Sequence, residues 1–145
     1  MDPQQKDLSY FRLRLQELLT SSFPEKASDL KFIKERSSWA AEAYECAFRS
    51  GNSFEQCDYI AEYILFEGLH FSKFDTVFQV VCNEFDTIMA DEELRPFALK
   101  MFPICEPIFA GYQLTDDFAY NTDFDLLYTE LTGAIAIWIE ENGLQ

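Results

Sequence analysis

The chain has 145 residues and a formal net charge of −15, and 48% of its residues are apolar. This length is typical of one domain, and the apolar fraction excludes an intrinsically disordered chain despite the charge. The most apolar stretch, Gly133–Ile139, is far shorter than the ~20 residues needed to cross a bilayer. Because the net charge is strongly negative, we expect no direct binding to nucleic acid or to anionic membranes, and we expect basic partners.

The net charge is confined to the part of the chain after residue 50. Residues 1–50 contain eight Lys or Arg and eight Asp or Glu, whereas residues 51–145 contain eighteen acids and three bases. From Met101 onward there are eight acids and no Lys or Arg. The second half of the chain therefore carries the negative field.

The cysteines and the N-terminal stretch bear on location. The stretch MDPQQKDLSY has no apolar core, so we expect no signal peptide and a cytoplasmic protein. The four cysteines contain no CxxC spacing, which favours free thiols in a reducing compartment. We expect Cys46 and Cys57 on buried helix faces, and Cys105, between two prolines, to be more accessible.

Helical periodicity begins at once and predicts three helices before residue 70. The first is predicted over Asp7–Thr20 and the second over about Ser28–Ser50, where basic residues such as Arg36 alternate with acids on a solvated face. The third opens with the capping box Ser53–Gln56 and ends near Gly68.

The middle of the chain predicts one clear helix and one interrupted one. The fourth helix opens at Ser72, where a hydroxyl can accept from the backbone three residues on. Pro96, Pro103 and Pro107 follow, and proline lacks the donor that a helix interior requires. We therefore expect two short helices, about 92–102 and 104–110, that meet at a kink.

The last helix is predicted from the cap at Thr122 to about Asn142. It is apolar on several sides, which is typical of a central helix, so Ile135 and Trp138 should be buried. Gly133 in its middle predicts a close helix crossing. The fold expected is thus all-α: one domain over residues 1–145, a bundle of about six helices with a central C-terminal helix.

Candidate chemistry is sparse. His70, between two predicted helices, could serve as a general base or a pH sensor, but a turn histidine bonded to a helix end is the better explanation. Asp123 and Asp125 fit the start of a calcium loop that fails at Leu126 and Thr132, so they are better explained as favourable charges at a helix N-terminus. The sequence predicts no catalytic, cofactor-binding or metal site.

Four segments resemble a known family. They are Leu8–Leu13, Gly68–Asp75, Pro103–Glu106, and Asp116–Tyr120 continued through Leu126–Gly133. Together they are similar to an uncharacterised Bacteroidetes family of small proteins that carry a domain of unknown function. The resemblance implies an all-helical fold and a loose association with regions rich in conjugative elements, and it implies no activity or functional residue.

Three functional hypotheses follow. The first is a non-enzymatic acidic protein that docks a basic partner protein through Asp116, Asp117, Glu140 and Glu141. The second is a DNA mimic of a mobile element, which occupies a DNA-binding protein with carboxylates spaced like phosphates. The third is an enzyme with a site near His70. The sequence favours no cofactor and no oligomeric state, and the acids could equally serve only solubility.

Overall fold

The structure is a computed structural model that describes residues 6–144. These residues contain six α-helices, a short 3₁₀ helix and no strand. The all-α prediction is therefore confirmed. None of the helices in this part of the chain is long and apolar enough to span a membrane. The signal-peptide expectation falls partly on residues 1–5, outside the described residues. The helices are α1 (Leu8–Ser22), α2 (Leu30–Arg49), α3 (Phe54–Leu65), α4 (Lys73–Glu84), α5 (Asp91–Phe109) and α6 (Asp123–Asn142), with the 3₁₀ helix at Phe118–Tyr120.

The chain divides into two compact units, Met1–His70 and Phe71–Gln145. The first contains α1, α2 and α3, and the second contains α4, α5 and α6. The first holds twelve acids and eight bases, and the second holds fourteen acids and three bases. The charge imbalance is therefore mainly a property of the second unit, while one domain over residues 1–145 stays a prediction.

The first unit is a three-helix assembly around one apolar cluster. Side-chain caps begin its helices: Asp7 accepts from the Tyr10 N–H, and the Ser53–Gln56 capping box is present with both hydrogen bonds. Each such cap stabilises its helix by about 1 kcal/mol. The helical stripes then meet in a core whose buried members include Phe11, Leu15, Leu19, Ile33, Ala40, Tyr44, Cys57, Ala61 and Leu65.

Arg36 joins two helices of this unit. Its Nη1 donates to the backbone oxygens of Ile64, Leu65 and Glu67 at distances of 3.3, 3.4 and 2.6 Å. These carbonyls lie at the C-terminal end of α3, where the helix itself supplies no donors. Arg36 is partly exposed, and the pattern of alternating charges did not indicate these bonds, because the three residues that it bonds are about thirty positions away in sequence.

The second unit packs α4, α5 and α6 around a separate cluster. Ser72 caps α4 by accepting from the Asp75 N–H at 2.9 Å, as its sequence predicts. Aromatic rings fill much of the interior, including the buried Phe118 of the 3₁₀ helix. The buried members include Phe74, Val77, Val81, Phe97, Ala98, Met101, Phe102, Cys105, Phe109, Leu127, Leu131 and Ile135.

Helix α5 is continuous through its three prolines, so the expectation of two short helices was wrong. Pro96, Pro103 and Pro107 are spaced by seven and four residues, which places all three on one helix face. All three are exposed. The carbonyls that lose their usual donors therefore face the solvent side, where water can hydrogen-bond to them, and the buried face remains regular.

Helix α6 buries one face and exposes the other. Ile135 is 1% exposed, as predicted, and Trp138 is partly buried against the core cluster. The cap is supplied by Asn121, whose Oδ1 accepts from the Asp123 N–H at 2.9 Å, because Thr122 makes no capping bond. Gly133 is exposed, and apart from its two chain neighbours and the adjacent backbone of α6, no described atom lies within 4 Å of where its Cβ would stand. The predicted crossing at Gly133 is therefore absent from the described chain.

Candidate functional site

The cations of the second unit are all engaged within that unit. Lys73 Nζ lies 3.1 Å from Glu106 Oε2. The Arg95 guanidinium lies over the Phe74 ring, 4.9 Å from its centroid, and Lys100 Nζ lies 4.9 Å from the centroid of Trp138. Each cation is thus held beside an acid or a ring, and the unit contains fourteen acids against these three bases.

The four acids predicted to bind a partner fall into two pairs. Asp116 and Asp117 precede the 3₁₀ helix, and Asp117 accepts a hydrogen bond from Thr115 Oγ1 at 2.6 Å. Glu140 and Glu141 lie in the last turn of α6. All four are exposed, but most of α6, ~26 Å at ~1.5 Å per residue, separates the pairs. A single small ligand cannot contact both.

Glu140 and Glu141 lie where negative charge is least favourable on a helix. The C-terminal end of a helix carries partial negative charge, which repels carboxylates by typically ~0.3–1 kcal/mol each. The last turn of α6 contains no basic residue to offset this repulsion. Glu140 and Glu141 therefore do not stabilise α6, whereas Asp123 and Asp125 lie in its first turn, where negative charge is favourable.

The exposed face of α6 combines acidic and apolar residues. Leu126 and Ile137 are 55% and 57% exposed, although leucine and isoleucine usually prefer the interior. Helical spacing places exposed acids and Gly133 on the same face. We call this face the outer stripe; its members are Leu126, Glu130, Gly133, Ile137 and Glu140.

An open groove of about 570 Å³ borders the N-terminal half of the outer stripe. Its apolar lining comes from Pro107, Ile108 and Leu126, and its acids are Asp123 and Glu130. No base lines it. The groove therefore offers an apolar floor with a negative rim.

Tyr112 fixes one acid of this groove. Its hydroxyl donates to Glu130 Oε1. This hydrogen bond, with burial as a smaller cause, raises the pKa of Tyr112 to about 12. Tyr112 is therefore a neutral donor at physiological pH, and it orients Glu130 without cancelling its charge.

His70 lies in a different groove, within the first unit. This open groove is also lined by Arg14, Glu17 and Ser21. His70 is exposed, and among residues 6–144 its side chain has no hydrogen bond or ion pair. Arg14 is already paired with Glu62 at 2.5 Å. The groove therefore contains polar residues without an assembled base and nucleophile.

The structure also gives no cluster that could hold a metal. Within the described part of the chain, no three His, Cys, Asp or Glu side chains come together in a suitable group.

The cysteines are free, but their exposure differs from expectation. Cys57 is buried, Cys82 is partly buried, and Cys46 is exposed, so the expectation of a buried Cys46 was wrong. Cys105 is 1% exposed, which overturns its predicted accessibility, because the prolines beside it lie on the opposite face of α5. Burial raises the pKa of the Cys105 thiol to about 11.

These environments predict selective thiol labelling. In native protein at pH 8, we expect Cys46 to react with iodoacetamide at least about tenfold faster than Cys105, since only accessible thiolate reacts. Peptide mass spectrometry measures the four rates, and labelling in denaturant provides the control. Equal native rates for Cys46 and Cys105 would contradict the burial of Cys105.

Comparison with known proteins gives a family and a fold. The family model for a domain of unknown function, DUF1896, matches residues 3–144. The chain is similar to protein PG0816 from Porphyromonas gingivalis, which has a crystal structure, with 37% sequence identity and a TM-score of 0.84. The match covers 100% of this chain and 99% of that chain. No curated protein matches the chain. The resemblance to an uncharacterised Bacteroidetes family is thereby confirmed.

Proposed function

The chain belongs to the DUF1896 family of domains of unknown function, and we propose that it is a non-enzymatic interaction protein that docks a basic partner protein in the cytoplasm. The second unit provides the docking surface. Asp116, Asp117, Glu140 and Glu141 form two acidic flanks of that surface.

One observation carries this proposal: exposed apolar side chains lie among exposed acids on α6, in a segment without any base. Leu126 and Ile137 are more than half exposed, and residues from Met101 onward contain eight acids and no Lys or Arg. Acids alone would serve solubility, but exposed leucine and isoleucine oppose it. The combination supports a surface that buries apolar area while pairing with cations.

The same observation favours docking over the two alternatives. A DNA mimic needs a continuous ridge of carboxylates, whereas the acids of the outer stripe alternate with Leu126, Gly133 and Ile137. An enzyme near His70 needs a partner for the imidazole within hydrogen-bond reach. Among the described side chains, His70 has none.

Neutralising the predicted acids tests the proposal. The variant Asp116→Asn, Asp117→Asn, Glu140→Gln, Glu141→Gln removes four charges, and all four sites are exposed. We expect it to fold as the wild type does but to lose a basic protein captured from the native host, because partner cations lose their counter-charges. Pull-down with quantitative mass spectrometry measures the capture.

A matched control separates specific docking from general charge. Glu17→Gln, Glu25→Gln, Glu35→Gln, Glu42→Gln removes the same charge from exposed sites of the first unit. We expect capture to persist in this control. Equal loss of capture in both variants would show that net charge, and not the second unit, attracts the partner. Unchanged capture with poorer solubility in the first variant would leave solubility as the role of the acids.

A further inference from the structure

We infer that the outer stripe of α6 receives a basic amphipathic helix of the partner, which crosses α6 at Gly133. The inference rests on the proposed docking function and specifies the surface, the chemistry of the partner and the point of closest approach.

Gly133 is the first observation. Glycine in a helix interior costs about 1 kcal/mol relative to alanine. Within a protein that cost is often offset by a close crossing, yet Gly133 faces open space in the described chain, and its φ is not in the left-handed region. The fold therefore does not require a glycine here. A helix that packs on α6 from outside gives this glycine a role, because the absence of a Cβ lets two backbones approach closely.

The neighbours of Gly133 complete a helix-docking face. Leu126 lies two turns before Gly133 and Ile137 about one turn after it, so two exposed apolar side chains flank the crossing point. The groove beside Leu126, about 570 Å³ in volume, can receive an apolar side chain of the partner. A helix that lies in such a groove presents its own apolar residues one and two turns apart.

The acids specify the charge of the partner. Glu130 and Glu140 lie on either side of Gly133, ~15 Å apart along the helix at ~1.5 Å per residue. Tyr112 holds Glu130 in place by donating to Oε1 and leaves its other oxygen available. A partner helix should therefore carry Lys or Arg on both sides of its crossing point.

Charge also decides against a second copy of this chain as the occupant. Two outer stripes placed together would bring two surfaces of the same negative sign against each other, since the unit has fourteen acids and three bases. Like charges across an interface are strongly unfavourable. A basic helix removes that repulsion and gains from the same field.

A designed peptide tests the inference directly. The probe is a helical peptide of about 20 residues built from Leu, Ala, Lys and Arg, with alanine at its centre and cations on both sides. We expect it to bind the full chain, and we expect Gly133→Leu to raise its Kd at least about tenfold, since the added side chain separates the helices. Isothermal titration calorimetry and circular dichroism measure binding and folding.

Matched variants identify the surface. Gln79→Leu adds similar apolar bulk to an exposed site on α4, and Glu92→Gln with Glu93→Gln removes the same charge as Glu130→Gln with Glu140→Gln. We expect only the α6 variants to weaken binding. Gly133→Ala should raise the melting temperature, because alanine favours the helix and its Cβ meets open space. The same substitution should weaken binding of the peptide.

The outcomes distinguish this inference from the proposed function. If the peptide binds and Gly133→Leu leaves its Kd unchanged, the crossing is wrong while docking of a basic partner stands. If Glu92→Gln with Glu93→Gln weakens binding as much as the α6 pair, the surface is wrong. Sedimentation that shows a wild-type dimer disrupted by Gly133→Leu would identify a second copy as the occupant instead. No binding of the peptide, together with intact capture by the fourfold acid variant, would overturn both.

Discussion

Replacing Ile135 with aspartate should abolish cooperative unfolding of the second unit. The side chain is 1% exposed within the cluster of α4, α5 and α6. Removing a buried isoleucine costs about 2–5 kcal/mol, and a buried, unpaired carboxylate adds several kcal/mol. The sum approaches the whole stability of a typical domain, about 5–15 kcal/mol. Thermal unfolding followed by Trp138 fluorescence measures the effect, in a Trp39→Phe background that leaves one tryptophan.

Ile137→Asp is the matched control for this experiment. It makes the same substitution two residues later on the same helix, where the side chain is 57% exposed. We expect its stability to stay within about 0.5 kcal/mol of the parent, as for most surface substitutions. A soluble Ile135→Asp protein that melts near the parent temperature would refute the placement of α6 in the core.

The sequence predicted the helices well where local chemistry determines them. The capping box at Ser53–Gln56 and the cap at Ser72 depend on side chains within three residues of the helix start, so a local pattern suffices. The buried stripes follow from helical spacing alone. For the same reason the burial of Ile135 could be predicted from its place in a repeating apolar pattern.

The sequence failed where a result depends on the surroundings of a residue. A proline inside a helix leaves the carbonyl four residues before it without its usual donor, which is unfavourable when that carbonyl is buried. Pro103 and Pro107 are tolerated because they lie on the exposed face of α5. Cys105 is buried because it lies opposite that face. A local reading of proline cannot tell these cases apart, since it does not include which face the core covers.

The candidate site shows the same division. Composition identified the acidic half of the chain, because charge requires only a count. Composition does not indicate the outer stripe, because apolar residues on several sides of α6 are also typical of a central helix. Leu126 and Ile137 are instead exposed, and Gly133 lies between them. The spacing of these three residues with Glu130 and Glu140 was a signal in the sequence that could have indicated a second, outward face.

Arg36→Ala should destabilise the first unit more than any other single change of an exposed or half-exposed side chain there. The substitution removes the donor to three carbonyl oxygens at the end of α3 and the cation over the Phe32 ring, 4.7 Å from its centroid. Hydrogen bonds that involve a charged group contribute about 1.5–3 kcal/mol. We expect a loss of about 2 kcal/mol, which lowers the melting temperature of a unit of this size by roughly 8–16 °C.

Two further variants separate the hydrogen bonds from packing. Arg36→Met keeps a long apolar side chain against Phe32 but cannot donate, so it should lose nearly as much stability as Arg36→Ala. Arg12→Ala removes a cation of the same unit from an exposed site and should change stability by less than about 0.5 kcal/mol. If Arg36→Met is as stable as the wild type, contact with Phe32 rather than the bonds to α3 explains the residue. If both variants behave as expected, the hydrogen bonds of Arg36 link α2 to the end of α3. A local sequence pattern does not indicate this link, because the partners Ile64, Leu65 and Glu67 are about thirty residues away.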